Sequence, residues 1–212
     1  MTDPVVLAYP FVGRWRVENS PARRVPSHGT HLMGTTYAID FVPVDDAGRS
    51  APRTWRSLLA TEPPERFVGF GAPVLAPLDG VVVLVHDGEP DGPGRRSLVA
   101  QVPFALTQAS RVRAGPGAVA GNHVVVAPGP AGPYVLLAHL RRGSVAVAPG
   151  DRVVTGRPVG DCGSSGNSTE PHVHVQVTDS VDWERAKGVP LAFVGSRGGP
   201  ARVPDEGEVV EV

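Results

Sequence analysis

The sequence is short of cysteine, lysine, aromatic residues and net charge, and each shortage removes a class of protein. A single cysteine, Cys162, excludes a disulfide framework and a cysteine-ligated structural zinc. Lys187 is the only lysine, so nearly all the positive charge is arginine. The formal net charge is −1, which leaves no overall basic field for nucleic acid. No run approaches the ~18 apolar residues of a membrane span. Near the N-terminus Asp3 stands where a signal peptide needs basic residues, and the apolar stretch Val5–Val12 stops at Gly13-Arg14. No export signal is read there. On this reading the chain is cytoplasmic by default, and extracytoplasmic only if exported by another route.

What is present points to β-structure. With 212 residues and 41% hydrophobic content the chain can bury a core, and 26 glycines with 23 prolines suit short strands joined by tight turns. Strands are predicted at Tyr37–Val42, Val81–Val85, Ser97–Val102, His123–Ala127, Tyr134–His139 and His172–Val177, where β-branched or aromatic residues are bounded by Gly, Pro or Asp. The phrases Pro73–Gly80 and Val147–Gly156 each read as strand, Gly/Asp turn and strand. Helical periodicity is scarce: Thr54–Ala60 and Asp182–Lys187 allow a turn or two. Loops are expected at 47–52, 87–96 and 107–121, and the tail from Ser196 to Val212 is expected to run extended along the surface. One all-β domain follows.

The chemistry lies in the seven histidines. Strand residues i and i+2 share a face, so His172-Val173-His174 projects two imidazoles to one side, close enough to serve one metal ion. The small-residue loop Gly163–Pro171 precedes them and can pass near a site without blocking it. Asp40, at the end of Thr36–Asp40, is a carboxylate in an apolar stretch, costly to bury unless paired or bound to a cation. His139 closes the strand Tyr134–His139. Each has a plainer reading taken alone: surface histidines, a strand-end cap and a satisfied core histidine. Glu170 reads as a solvated loop carboxylate, His86 and His123 as structural or solvent-facing, and Cys162 as a small buried residue.

Taken together, the order of His28 or His31, Asp40, Tyr134…His139-Leu140 and Gly166-Asn167-Ser168-Thr169-x-Pro171-His172-x-His174 resembles the lysostaphin-type (LytM-like) zinc endopeptidases of bacterial peptidoglycan. The frame Gly71-x-Pro73-Val74-x-Ala76-Pro77-x-x-Gly80-x-Val82 and the later Val147-x-x-Gly150-Asp151-x-Val153-x-x-Gly156 also look like family segments. The resemblance covers about Ser27 to Val177. It departs in two respects: no export signal is read for an enzyme whose usual substrate lies outside the membrane, and the first motif is looser. The family's short His-x-x-x-Asp spacing is absent, since Thr36 stands four residues before Asp40, so the first ligand is His28 or, nearer the strand, His31. His28 is favoured.

The resemblance implies a single domain of mostly antiparallel short strands in a two-sheet, lysostaphin-like fold with long loops around an open groove. Residues 1–26 would pack on a metallopeptidase-like domain at 27–180, with an extension at 181–212. It also implies Zn²⁺ held by His28, Asp40 and His174, with His139 and His172 as the pair that handles protons; which of the two is the base stays open. The substrate would be a peptide, in peptidoglycan cross-bridges or stems, laid along strand edges between walls formed by loops 87–96, 107–121 and 163–171. No His-Glu-x-x-His helix is present. A non-catalytic zinc-retaining binding or regulatory module is the alternative. A biotinyl or lipoyl carrier fails because Lys187 lies in no hairpin tip.

Overall fold

The computed structural model describes residues 3–54, 56–194 and 199–212. Its strands are β1 (Val5–Leu7), β2 (Arg14–Glu18), β3 (Ile39–Pro43), β4 (Pro73–Leu75), β5 (Gly80–His86), β6 (Asn122–Ala127), β7 (Tyr134–Leu140), β8 (Arg152–Val153), β9 (Pro158–Asp161), β10 (Val173–Thr178), β11 (Leu191–Phe193) and β12 (Val209–Glu211). Eight of them form one antiparallel sheet in the order β12-β2-β3-β10-β7-β6-β5-β8, while β1–β11 and β4–β9 make separate two-stranded pairs. The fold is therefore all-β in its framework and mostly antiparallel.

Strand alternation divides the large sheet into two faces. Val173, Val175 and Val177 of β10 join Ile39 and Phe41 of β3 and Val135 and Leu137 of β7 in the main core. Aromatic side chains seal that core: Phe11 stacks on Trp15 with centroids 4.4 Å apart and Tyr9 on Phe193 at 4.8 Å. Such pairs add about 0.5–1.5 kcal/mol each beyond the area they bury. The other face of the same central strands carries Asp40, His174, Gln176, Leu136 and Ala138.

Five expectations need correction. Ser97–Val102 is not a strand but the start of helix α2 (Leu98–Leu106), and the expected loop 107–121 holds α3 (Gln108–Ala114) and α4 (Pro116–Ala120). β-Branched content suits a strand only where a neighbour supplies ladder bonds, and this excursion from the sheet has none, so the backbone pairs within itself. Asp182–Lys187 forms turns only, whereas Arg56–Leu59 makes one helical turn, α1. The phrase at Val147 has no strand before its turn; β8 follows the turn, and the unexpected β9 pairs with β4. The tail does not simply lie on the surface: β12 adds to the sheet edge beside β2, and Val210 is buried. Residues 196–198 of that tail lie outside the described residues.

Candidate active site

Asp40 sits inside β3 rather than at its end. The ladder sets it directly opposite His174 of β10, and His174 opposite Ala138 of β7. The histidine loop reaches this face because Gly166 and Gly121 cross at close range, where a Cβ on either would overlap backbone of the other segment. Both glycines also have positive φ, +69° and +62°.

His139 arrives by a different device. Strict alternation from Val135 and Leu137 would point it into the core. The register between β6 and β7 instead shifts, pairing Asn122 with Leu140 but Val124 with Leu137, and His139 takes φ +63°. This one-residue bulge flips the parity: His139 joins the face of Leu136 and Ala138, and Leu140 takes the core position. Asn122, wholly buried, holds the bulge. Its Oδ1 accepts from the Gly88 and Glu89 amides at 2.8 Å, and its Nδ2 donates to the Glu89 and Leu140 carbonyls.

These residues floor a cleft of about 450 Å³ walled by Gln108 and Val112 of α3, Val119 of α4, and Asn167 and Thr169 of the histidine loop. Loop 87–96 is not part of the wall. It buttresses from behind, with Asp91 accepting the Ser164 and Arg142 amides and Asp87 those of Gly143 and Val145. The floor is also the middle of the eight-stranded sheet, not an edge, so a peptide here would lie across a face. That overturns the expectation of edge pairing.

Donor atoms of His28, Asp40 and His174 all lie within 4.8 Å of one another. His28 Nε2 is 3.1 Å from Asp40 Oδ2, and His174 Nδ1 is 2.9 Å from Asp40 Oδ1. His31 is exposed and bonds Thr36 Oγ1 at 3.0 Å, away from this group. Three further residues support the cluster. Asn19 Nδ2 donates to Asp40 Oδ2 at 2.7 Å, Gln176 Oε1 meets His174 Nε2 at 3.0 Å, and Ser27 Oγ meets His28 Nδ1 at 3.0 Å. No periodicity or motif marks Asn19, on the turn after β2; Gln176 was legible only as the next residue on the His172, His174 face.

His139 and His172 stand beside this group with ring centroids 4.6 Å apart. Each is oriented by a backbone carbonyl: His139 Nδ1 donates to Ser165 O at 2.9 Å and His172 Nδ1 to Glu170 O at 2.8 Å. That leaves Nε2 as the available nitrogen on both rings. Glu170 itself is not solvated. Ser50 Oγ donates to it at 2.5 Å, Arg16 lies at 4.0 Å, and burial pushes its carboxyl up. His123 is buried on Gly121 O and stacks on the half-exposed His86, and Cys162 is buried with its thiol pushed up.

The electrostatics of the cluster follow from burial and proximity. Burial opposes charge on Asp40, but His28, His172 and His174 outweigh it and hold the carboxyl well below its usual range. Burial likewise disfavours charge on His174, yet Asp40 raises it. His139 has no such partner at hydrogen-bond distance: burial, then the charges of His172 and His174, push it well below the ordinary histidine range.

A pH effect follows. In the metal-free chain the folded state binds a proton at His139 less readily than the unfolded chain, whose value is about 6.5. The stability tied to its neutral form is thus full above that value and is lost as pH falls through it. Urea midpoints of metal-free protein between pH 8 and pH 5 should fall more steeply for the wild type than for His139→Gln. Parallel profiles would contradict this.

Residues 104–192 match the model of peptidase family M23. Over that span, a little under half of the chain, the sequence is similar to this family. The matched segment contains His139, His172 and His174, while His28 and Asp40 lie upstream of it and reach His174 through the fold. No curated protein matches the chain. Among solved structures it is similar to a mutant of the catalytic domain of the prophage-encoded M23 protein EnpA from Enterococcus faecalis, at 18% identity over 90% of this chain and 91% of that one, with a TM-score of 0.41. It is also similar to the catalytic domain of the antimicrobial peptidase lysostaphin from Staphylococcus simulans, at 18% identity over 76% of this chain and 86% of that one, with a TM-score of 0.40.

Proposed function

We propose that this chain is a zinc-dependent metalloendopeptidase of the M23 type that hydrolyses peptide bonds in peptidoglycan cross-bridges or stems. The observation that carries the reading is Asp40. It is a buried carboxylate ringed by His28, His172 and His174, and among the described residues no arginine or lysine pairs with it. A buried charge of this kind needs a cation, and a His-Asp-His donor set is one that zinc accepts. His28, Asp40 and His174 would hold the metal, with Asn19 and Gln176 fixing the orientation of their donors. Zinc in a three-ligand site supplies Lewis-acid chemistry, polarising a carbonyl and acidifying a water.

The remaining work falls to the chain's own groups. The cleft lays a peptide over the sheet face between α3 and the histidine loop, its scissile carbonyl above Asp40 and its neighbours. His139 and His172, each with Nε2 open, share two proton tasks. One takes the proton of the attacking water; the other hydrogen-bonds the oxyanion or protonates the leaving amine. The carbonyls of Ser165 and Glu170 keep both rings in the required tautomer.

The test is incubation of zinc-loaded protein with purified peptidoglycan and with generic peptides, scored by new free amines. Release from peptidoglycan that stops with chelator is the expected result. No cleavage of any wall type by fully loaded protein would contradict it and favour a non-catalytic binding module.

A further inference from the structure

Glu170 lies two residues before His172, but its carboxyl turns away from the histidine cleft. It lines a second cavity of about 870 Å³, with Arg16, Ser50 and Ser57, and is absent from the lining of the cleft. The side chain is 15% exposed. Ser50 Oγ donates to its Oε2 at 2.5 Å. Arg16 stands 4.0 Å from Oε1 and gives its Nε and one terminal nitrogen to Glu18 instead. A carboxyl is costly to bury on one hydrogen bond. Neither metal binding nor proton transfer uses this one.

The two ends of Glu170 serve different partners. Its carbonyl accepts from His172 Nδ1 at 2.8 Å and from Ser168 Oγ at 2.7 Å. Pro171 follows and restricts the backbone between that carbonyl and the side chain. The earlier part of the histidine loop is fastened elsewhere: Ser164 to Asp91, Asn167 to Val119 and Thr169 to Arg95. Among the described residues, Ser50–Glu170 is the one hydrogen bond joining this loop to the segment after β3. Ser50 is itself held, since its carbonyl accepts from the Val68 amide at 2.8 Å and the turn Asp45–Arg49 leads to it from β3.

We infer that Glu170 is a positioning residue for His172, and that Ser50 sets its position. The Ser50 hydrogen bond pins the side chain, and the restricted backbone carries that constraint to the carbonyl. The carbonyl then holds the His172 ring with Nδ1 protonated and Nε2 open to the cleft. The strand that bears Asp40 thus also fixes, through the segment ending at Ser50, the end of the histidine loop. Glu170 touches no substrate and is not a catalytic residue. Its effect on turnover rests on the zinc-peptidase reading; its effect on the ring rests on the hydrogen bonds alone.

Variants of the zinc-loaded full chain test both. Glu170→Ala and Ser50→Ala should each lower kcat for peptide cleavage by about 10- to 100-fold, the usual cost of losing a group that holds a functional side chain in place. KM and zinc content should not change. The double variant should be no slower than the slower single one, because the two residues act as one unit. Glu170→Gln, whose Oε1 can still accept from Ser50, should retain most of the rate. Nitrogen NMR of histidine-labelled protein should show His172 as the Nδ1–H form in the wild type and as a mixture of both forms in Glu170→Ala. Should that variant fail to fold, Ser50→Ala carries the same comparison. A wild type that cuts nothing would defeat the peptidase reading, and the tautomer comparison would still decide this one. The inference is overturned by an unchanged His172 tautomer in the folded alanine variants, by multiplicative losses from the two, or by Glu170→Gln failing as Glu170→Ala does.

Discussion

Replacing Asp40 with alanine should strip the chain of zinc, taking elemental analysis from one metal per chain to almost none. The carboxylate is the member of the cluster that touches both other candidate donors, at 3.1 Å from His28 and 2.9 Å from His174. Its loss removes one ligand and the charge that orients two more. His174→Ala and His28→Ala should have the same outcome. His31→Ala should retain the metal, because that ring bonds Thr36 on the exposed side of its loop. Asn19→Ala should weaken zinc binding by about 10- to 100-fold without abolishing it, the usual cost of removing a group that holds a ligand in place. Full zinc content in Asp40→Ala would defeat the assignment.

The second large effect is on turnover alone. His139→Ala and His172→Ala should each lower peptide cleavage by about 10²- to 10⁴-fold, the range for losing a positioned acid or base, while zinc content stays at one per chain. The separation of readouts is the point. Each ring is oriented by a backbone carbonyl, and neither belongs to the His28, Asp40, His174 donor group. If His172→Ala loses zinc and His174→Ala keeps it, the roles within that pair are exchanged.

Much of this arrangement was legible in the sequence where local pattern and tertiary context agree. β3, β5, β6, β7 and β10 read correctly because their β-branched runs lie in the middle of a sheet that rewards them. His-x-His needed only strand alternation to place both rings on one face. β2 was missed although Arg14-Trp15-Arg16-Val17-Glu18 alternates cleanly, with Trp15 and Val17 buried. α2 was misread because Leu98-Val99-Ala100-Gln101-Val102 has strand-like composition; what it lacks is a partner strand, and no local pattern reveals that. The resemblance places His139 in the site, but strand alternation does not show how it gets there. Alternation counts it into the core, and only a bulge held by Asn122, eighteen positions from Leu140, turns it out. Asn19 likewise reaches Asp40 across 21 positions, a distance over which no spacing rule speaks.

The measurement that bears most directly on the central claim is anomalous diffraction at the zinc edge from crystals of the zinc-loaded chain. The expected map has one peak per chain, within about 2.0–2.2 Å of a nitrogen of His28, a carboxylate oxygen of Asp40 and a nitrogen of His174. His139 and His172 should be close by and unbound. A peak ligated by His31, or none at Asp40 in protein shown to carry zinc, would contradict it.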